Sequence, residues 1–276
     1  MQRHRHRVLR CRSPGDRSSV GRPAGYLARC SAVQQRLPSL LDVPIMFAHR
    51  GARAYAPENT IDSFLLALRL GATGLESDVG LTADGVAVLD HDGEIRSGRF
   101  RKRAIAACRR DELPDHIPAL ADLFEACGTD FHLSLDLKGS AVGPTVIEVV
   151  RSVAPAILDR LWLCHHDLGE LIRLRPLDDQ VKLIDSTRVP RISEGPERRA
   201  ARLAAEGVDG INMHRDDWNG GLVSLFHRFG RTTFCWDLQF EHQLRPVYRM
   251  GMDAVYSDHV DRMVDAFTVE IGAPGA

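Results

Sequence analysis

Residues 44–92 read PIMFAHRGARAYAPENTIDSFLLALRLGATGLESDVGLTADGVAVLDHD, and the order of apolar runs and turns in this stretch decides the fold. Residues 44–48 form a short apolar strand ending at His49. Residues 59–70 carry apolar side chains at helical spacing and are closed by Gly71. Residues 74–79 read as a second strand, and Leu81-Thr82-Ala83-Asp84-Gly85 as a tight turn with an Asp-Gly signal. The run 86–90 then returns as its partner. So short a connection cannot make a parallel crossover, so the returning arm runs antiparallel and carries His91 back toward the end of the strand bearing Glu76 and Asp78.

Working outward, further strands are predicted at 131–137, 161–164, 181–184, 210–213, 232–236 and 254–257, each separated by a helix-forming segment. With the first two, and the hairpin arm left aside, the count is eight. Eight strands alternating with helices over about 230 residues match a (β/α)8 TIM barrel, an α/β fold whose active site lies at the C-terminal ends of its strands. Polar residues fall at those ends: His49-Arg50, Glu76 with Asp78, Asp136 with Lys138, His165-His166, Asn212 with His214, Trp236-Asp237 and Ser257-Asp258. Residues 93–116 break the rhythm with Arg96, Arg99, Arg101, Lys102, Arg103, Arg109 and Arg110. They read as a small insertion over the barrel mouth, either a solvated surface loop or a cap for an anionic substrate.

Composition bounds the rest. A chain of 276 residues with 44% hydrophobic content holds ample apolar material for one large barrel or two smaller domains. The net charge of -1 hides an asymmetry. Residues 1–42 hold nine arginines against Asp16 and Asp42, which leaves 27 basic and 35 acidic side chains in residues 43–276. The expected folded part, 43–276, is therefore acidic and lacks the basic footprint of a nucleic-acid binder. The first 42 residues, rich in Arg, Ser, Gly and Pro, are expected to be a disordered extension. They lack a secretory signal pattern, although Arg-rich, acid-poor composition also suits an organelle transit peptide, and Met46 offers a downstream start. Six cysteines form no C-x-x-C pair, so reduced thiols and a cytoplasmic location are expected. No run approaches the length of a membrane-spanning helix.

Taken together, Ala48-His49-Arg50-Gly51, Pro57-Glu58-Asn59-Thr60, the run Leu75 to Gly85, Leu89-Asp90-His91-Asp92, Ile117-Pro118-Ala119-Leu120 and Asp136-Leu137-Lys138 resemble the glycerophosphodiester phosphodiesterase family. The resemblance covers nearly everything after residue 44 and is most specific through Asp92. It implies a barrel and metal-dependent hydrolysis of a small-molecule glycerophosphodiester to glycerol 3-phosphate and an alcohol. It also implies that Glu58 and Asn59 order the metal or substrate shell, although a helix start after Pro57 would itself favour both residue types.

The residues support such chemistry on their own terms. Glu76 and Asp78 alternate on one strand, so both point to one face roughly 6.6 Å apart along the chain. On an interior barrel strand unpaired carboxylates are costly, which argues for a shared cation. Asp136 supplies a third oxygen ligand from the next strand, and an all-oxygen set favours Mg2+ or Ca2+ over Zn2+. Arg50 and Lys138 suit the phosphate, and His49 and His91 suit general acid and base, since imidazole titrates near neutrality. Trp236 is expected either to wall the pocket or to pack in the core. Asp136 departs from the glutamate usual in the family, Trp236-Asp237-Leu238-Gln239 from its Trp-Thr-Val-Asn, and His165-His166 from its Ser-Phe. These departures leave a lysophospholipase D-like or phospholipase D-like enzyme as the alternative, and a barrel that only binds a phosphate ligand as a third.

Overall fold

In the computed structural model, which describes residues 36–96 and 101–272, the apolar run after Pro44 forms strand β1 (Ile45–Ala48), with all four residues buried. Both faces of an interior parallel strand are covered, so an unbroken apolar run is what this position demands. Helix α1 (Ile61–Arg69) follows, and Thr60 caps it by accepting a hydrogen bond from the Ser63 amide. The helix therefore starts later than the expected residue 59. Asn59 is no cap: it lies outside the helix in the left-handed region, at φ 56°.

Strand β2 (Gly74–Leu81) turns back into β3 (Ala87–Leu89), antiparallel, with Val79 opposite Leu89 and Leu81 opposite Ala87. The predicted hairpin is present. The insertion is more ordered than an irregular loop. Its β4 (Glu94–Arg96) pairs antiparallel with β5 (Lys102–Ala104), and Ile105, Cys108, Leu113 and Ile117 bury against Val88 in a small core of their own. Residues 97–100, which include Arg99, lie outside the described residues.

The remaining elements alternate: α2 (Leu120–Cys127), β6 (His132–Leu137), α3 (Val142–Val153), β7 (Leu161–His165), α4 (Leu168–Leu174), β8 (Lys182–Thr187), α5 (Pro196–Ala205), β9 (Gly210–His214), α6 (Gly220–Arg228), β10 (Thr232–Trp236), α7 (Glu241–Arg249), β11 (Ala254–Ser257) and α8 (Val260–Glu270). Strands β1, β2, β6, β7, β8, β9, β10 and β11 pair in parallel, and β1 contacts both β2 and β11. The sheet thus closes into the expected eight-stranded (β/α)8 barrel, with β3 attached outside the ring.

Strand alternation sorts side chains into two cores. Ile45, Phe47, Trp162, Cys164, Ile184, Phe234 and Tyr256 fill the barrel interior, where Phe47 stacks on Tyr256 at 4.9 Å. The intervening residues, such as Met46, Leu75, Leu133 and Ile211, face outward against Phe64, Leu123, Val146 and Phe267 of the helices. Each such fully buried side chain contributes about 1.5–3 kcal/mol. Continuing the inward set past the aromatic plug, two residues at a time, leads to His49, Asp78, Asp136, His166, Asn212, Trp236 and Asp258. The polar layer sits directly on the apolar one.

The expected boundary at residue 43 is too late. Residues 36–42 pack on the barrel: the Leu37 amide donates to the Arg249 carbonyl at 2.9 Å, and Ser39 Oγ and the Leu40 amide both donate to buried Asp253. The rest of the expected extension lies outside the described residues. Among the described residues no helix is long and apolar enough to cross a membrane, and Cys108, Cys127, Cys164 and Cys235 are free thiols.

Candidate active site

The site begins with a turn. After β1 the chain places Arg50 at φ 53° and Gly51 at φ 79°, two successive left-handed residues that swing the backbone over the barrel mouth. Such strain in a non-glycine residue persists only where its surroundings fix it. Here the Arg50 amide donates to Glu76 Oε2 at 2.9 Å, its carbonyl accepts from the Asn59 amide at 3.0 Å, and its guanidinium meets Glu58 at 3.1 Å and Asp78 at 3.3 Å. Gly51 is required twice over, because a Cβ there would also lie 2.4 Å from Ser63 Oγ.

Strands β2 and β6 supply the acidic centre. Their register sets Asp78 beside Asp136, and one oxygen each of Glu76, Asp78 and Asp136 lie within 4.8 Å of one another. Burial, together with the charges of Asp78 and Asp136 and against relief from His49, pushes Glu76 up to about 8. Burial and the charge of Asp78 likewise push Asp136 up to about 6, with Lys138 and His49 opposing. Asp78 Oδ1 holds Lys138 Nζ at 2.6 Å, while buried Asp78 Oδ2 lacks a hydrogen-bond partner among the described residues. Three hard oxygen donors within reach of one another, two of them destabilised as anions, fit a divalent cation.

His49 is held from the far side of the barrel seam. Its Nδ1 lies 2.6 Å from Asp258 Oδ1, and its Nε2 lies 3.9 Å from Glu76 Oε2. Burial alone would lower this imidazole, but Glu76 and Asp258 outweigh it and the pKa is raised. Burial pushes Asp258 the other way, and its hydrogen bond with His49 prevails, so that carboxyl is lowered. The hairpin returns His91 to the same mouth, where the Asp90 amide donates to the Asp78 carbonyl at 3.1 Å and His91 Nδ1 lies 2.9 Å from Asp92. A cavity of about 540 Å3 is lined by His49, Arg50, Glu76, Asp78, His91, Asp136, Lys138 and Trp236 together.

The sequence profile of the glycerophosphoryl diester phosphodiesterase family matches residues 49–262, which span every one of these groups. The chain belongs to that family. A glycerophosphodiester phosphodiesterase of Caldanaerobacter subterraneus is 32% identical over 249 residues, covering 80% of this chain and 96% of the relative. One from Bacillus altitudinis is 26% identical over 242 residues, covering 79% and 96%. Among solved structures, an Oleispira antarctica phosphodiesterase in complex with the product sn-glycerol-3-phosphate superposes with a TM-score of 0.72 at 23% identity, covering 81% of this chain and 96% of that one. A Silicibacter pomeroyi structure described as a glycerophosphoryl diester phosphodiesterase gives 0.74 at 22%, covering 87% and 97%. The chain is thus an enzyme of phosphodiester hydrolysis.

Within this glycerophosphoryl diester phosphodiesterase, two expected site residues stand behind the cavity instead of in it. Glu58 engages Arg50 and Arg53, and Asn59 Oδ1 accepts from buried Ser77 Oγ at 2.7 Å. His165 Nδ1 accepts from the Asp167 amide at 3.0 Å, whereas His166 lines the cavity. No described residue of the 93–116 insertion lines it; Lys102, Arg103, Arg109 and Arg110 pair instead with Glu94, Glu112, Asp84 and Asp122. Arg53, Arg188, Arg191 and Asp258 line the mouth without having been assigned a role from sequence. For Asp258 a signal existed, since it lies two residues past inward-facing Tyr256.

Proposed function

We propose that the chain hydrolyses glycerophosphodiesters to glycerol 3-phosphate and an alcohol, with His49 and His91 as the acid and base groups. The observation that carries this reading is the gathering of three carboxylates, two imidazoles and two cations at one barrel mouth. Glu76, Asp78 and Asp136 would hold Mg2+ or Ca2+, which when bound supplies a Lewis acid that draws charge off the phosphate oxygens. Arg50 and Lys138 neutralise the same oxygens as negative charge shifts toward the leaving group. Asp258 accepts from His49 Nδ1–H, which leaves Nε2 facing the cavity as the nitrogen that exchanges a proton. His91, with Asp92 on its Nδ1, presents Nε2 in the same way. Between them, the two imidazoles take a proton from the attacking hydroxyl, of water or of the substrate's glycerol, and return one to the departing oxygen.

The test is release of glycerol 3-phosphate from glycerophosphocholine and glycerophosphoinositol, with Mg2+, with Ca2+ and with chelator, for the native chain, H49A and H91A. Activity is expected with metal and lost on chelation, and each substitution should lower kcat by roughly 100-fold or more. Activity indifferent to both chelation and H49A would overturn the mechanism.

One observation favours a lysolipid substrate as a second reading. An apolar cavity of about 360 Å3, lined by Leu81, Val88, Ile105 and Val142 among others, shares Lys138 with the active site and offers room for an acyl chain. Turnover of lysophosphatidylcholine in preference to the deacylated diesters would select that reading.

A further inference from the structure

The acidic centre occupies one side of the cavity, and the other side has a different character. It is built from the ends of β8, β9 and β10, through Ser186, Arg188, Arg191, Asn212 and Trp236, with His166 beside them. Arg188 is ion-paired with Asp217 and its guanidinium carbon lies 5.9 Å from the centre of the Trp236 ring. Arg191, exposed in the short turn after β8, forms no ion pair among the described residues. The carboxylate of this wall, Asp237, is taken up by His214 and Arg215, each at 3.1 Å. Arg215 is shared with Asp216 at 3.6 Å as well, which leaves Arg191 as the cation of this wall that no carboxylate answers among the described residues. Asn212, only 6% exposed, adds a side-chain oxygen that has no hydrogen-bond partner among the described residues.

These features select by chemistry. A quaternary ammonium needs an open aromatic face and a negative surround, but a guanidinium lies over Trp236 and the free charge is positive. A hydroxylated anion finds an arginine to pair with and an amide oxygen to receive a hydroxyl hydrogen. We propose that this wall receives the leaving alcohol and selects one bearing its own negative charge and free hydroxyls, a phosphorylated polyol, over choline. This specificity rests on the hydrolytic reading above, with Arg191 as its determinant.

Two measurements separate the two ideas. In the first, kcat/KM is compared for glycerophosphoinositol 4-phosphate, glycerophosphoinositol and glycerophosphocholine. The native enzyme should prefer them in that order, and R191E should cut the ratio of the first to the second about ten-fold, because an attraction becomes a repulsion. In the second, calorimetry follows inositol 4-phosphate binding without turnover. R191E should weaken it to a similar degree, with circular dichroism unchanged, and choline should not compete. A substrate ratio and an inositol 4-phosphate affinity both indifferent to R191E overturn the wall's role and leave the reaction standing. Hydrolysis of none of the three diesters, with Arg191-dependent binding intact, overturns the reaction and leaves the wall.

Discussion

In the proposed reaction Asp258 acts through His49. At 2.6 Å from Nδ1 it fixes both the ring and the tautomer, so its removal should change how the imidazole titrates as well as how it points. Asp258 is one of the groups that raise the His49 pKa, so D258N lets it fall back toward the ordinary value near 6.5. Whichever limb of the pH–kcat profile belongs to His49 should move to lower pH, with kcat down roughly 100-fold. A loss of kcat with unmoved limbs would assign Asp258 a purely structural place. His49 itself was legible in sequence, because it follows an apolar strand at the right parity. Asp258 was legible as a polar residue at a strand end, but its pairing with His49 was not, because the two lie 209 residues apart and meet only where β11 closes against β1. Glu58 and Asn59 show the converse limit. Their positions were legible, but the left-handed turn at Arg50 and Asn59, which sends one to the arginines and the other to Ser77, is a backbone property that residue types do not announce.

Among elements, the hairpin β2–β3 was the most legible, since an Asp-Gly turn between two apolar runs has one short-range solution. The β1–α1 turn was less so, although it carries Arg50. Two glycines separate the contributions. Gly85 in the hairpin has φ 81° with open space around it, whereas Gly51 has φ 79° with Ser63 Oγ 2.4 Å from any added Cβ. Substituting G85A should cost about 1 kcal/mol, the strain alone. Substituting G51A adds a clash against the start of α1 and should cost about 3 kcal/mol. Urea midpoints with unchanged slopes would measure both, and equal losses would refute the close approach at Gly51. The insertion was the least legible element. Its seven cations in sequence suggested a surface loop or a substrate cap, but their carboxylate partners include Asp84 and Asp122, which the fold brings in from outside the insertion.

At the scale of the whole molecule, the barrel sets function against stability along one axis. The inward residues run from an aromatic plug to a layer of like-charged carboxylates, and the cost of that layer is visible in the upward shifts of Glu76 and Asp136. Buried anions forced together destabilise the native state unless something positive is bound. Lys138 and Arg50 supply part of that charge, one at each oxygen of Asp78, and Glu76 and Asp136 remain shifted upward in their presence. Binding that favours the native state should raise stability by roughly 2.7 kcal/mol at a hundred-fold excess of cation over Kd. For a domain of this size that corresponds to roughly 5–10 °C in Tm. E76Q removes the cost of burying an acid whose pKa is pushed up to about 8 and keeps an oxygen for the Arg50 amide. In chelator its Tm should therefore exceed that of the native chain by roughly 3 °C, a gain of about 1 kcal/mol. On addition of Mg2+ or Ca2+ the order should reverse, the native chain rising past a variant that scarcely moves. An E76Q protein less stable than the native chain in chelator would mean that Glu76 is held for the fold. An E76Q protein that gains as much from the cation as the native chain would remove Glu76 from the metal site.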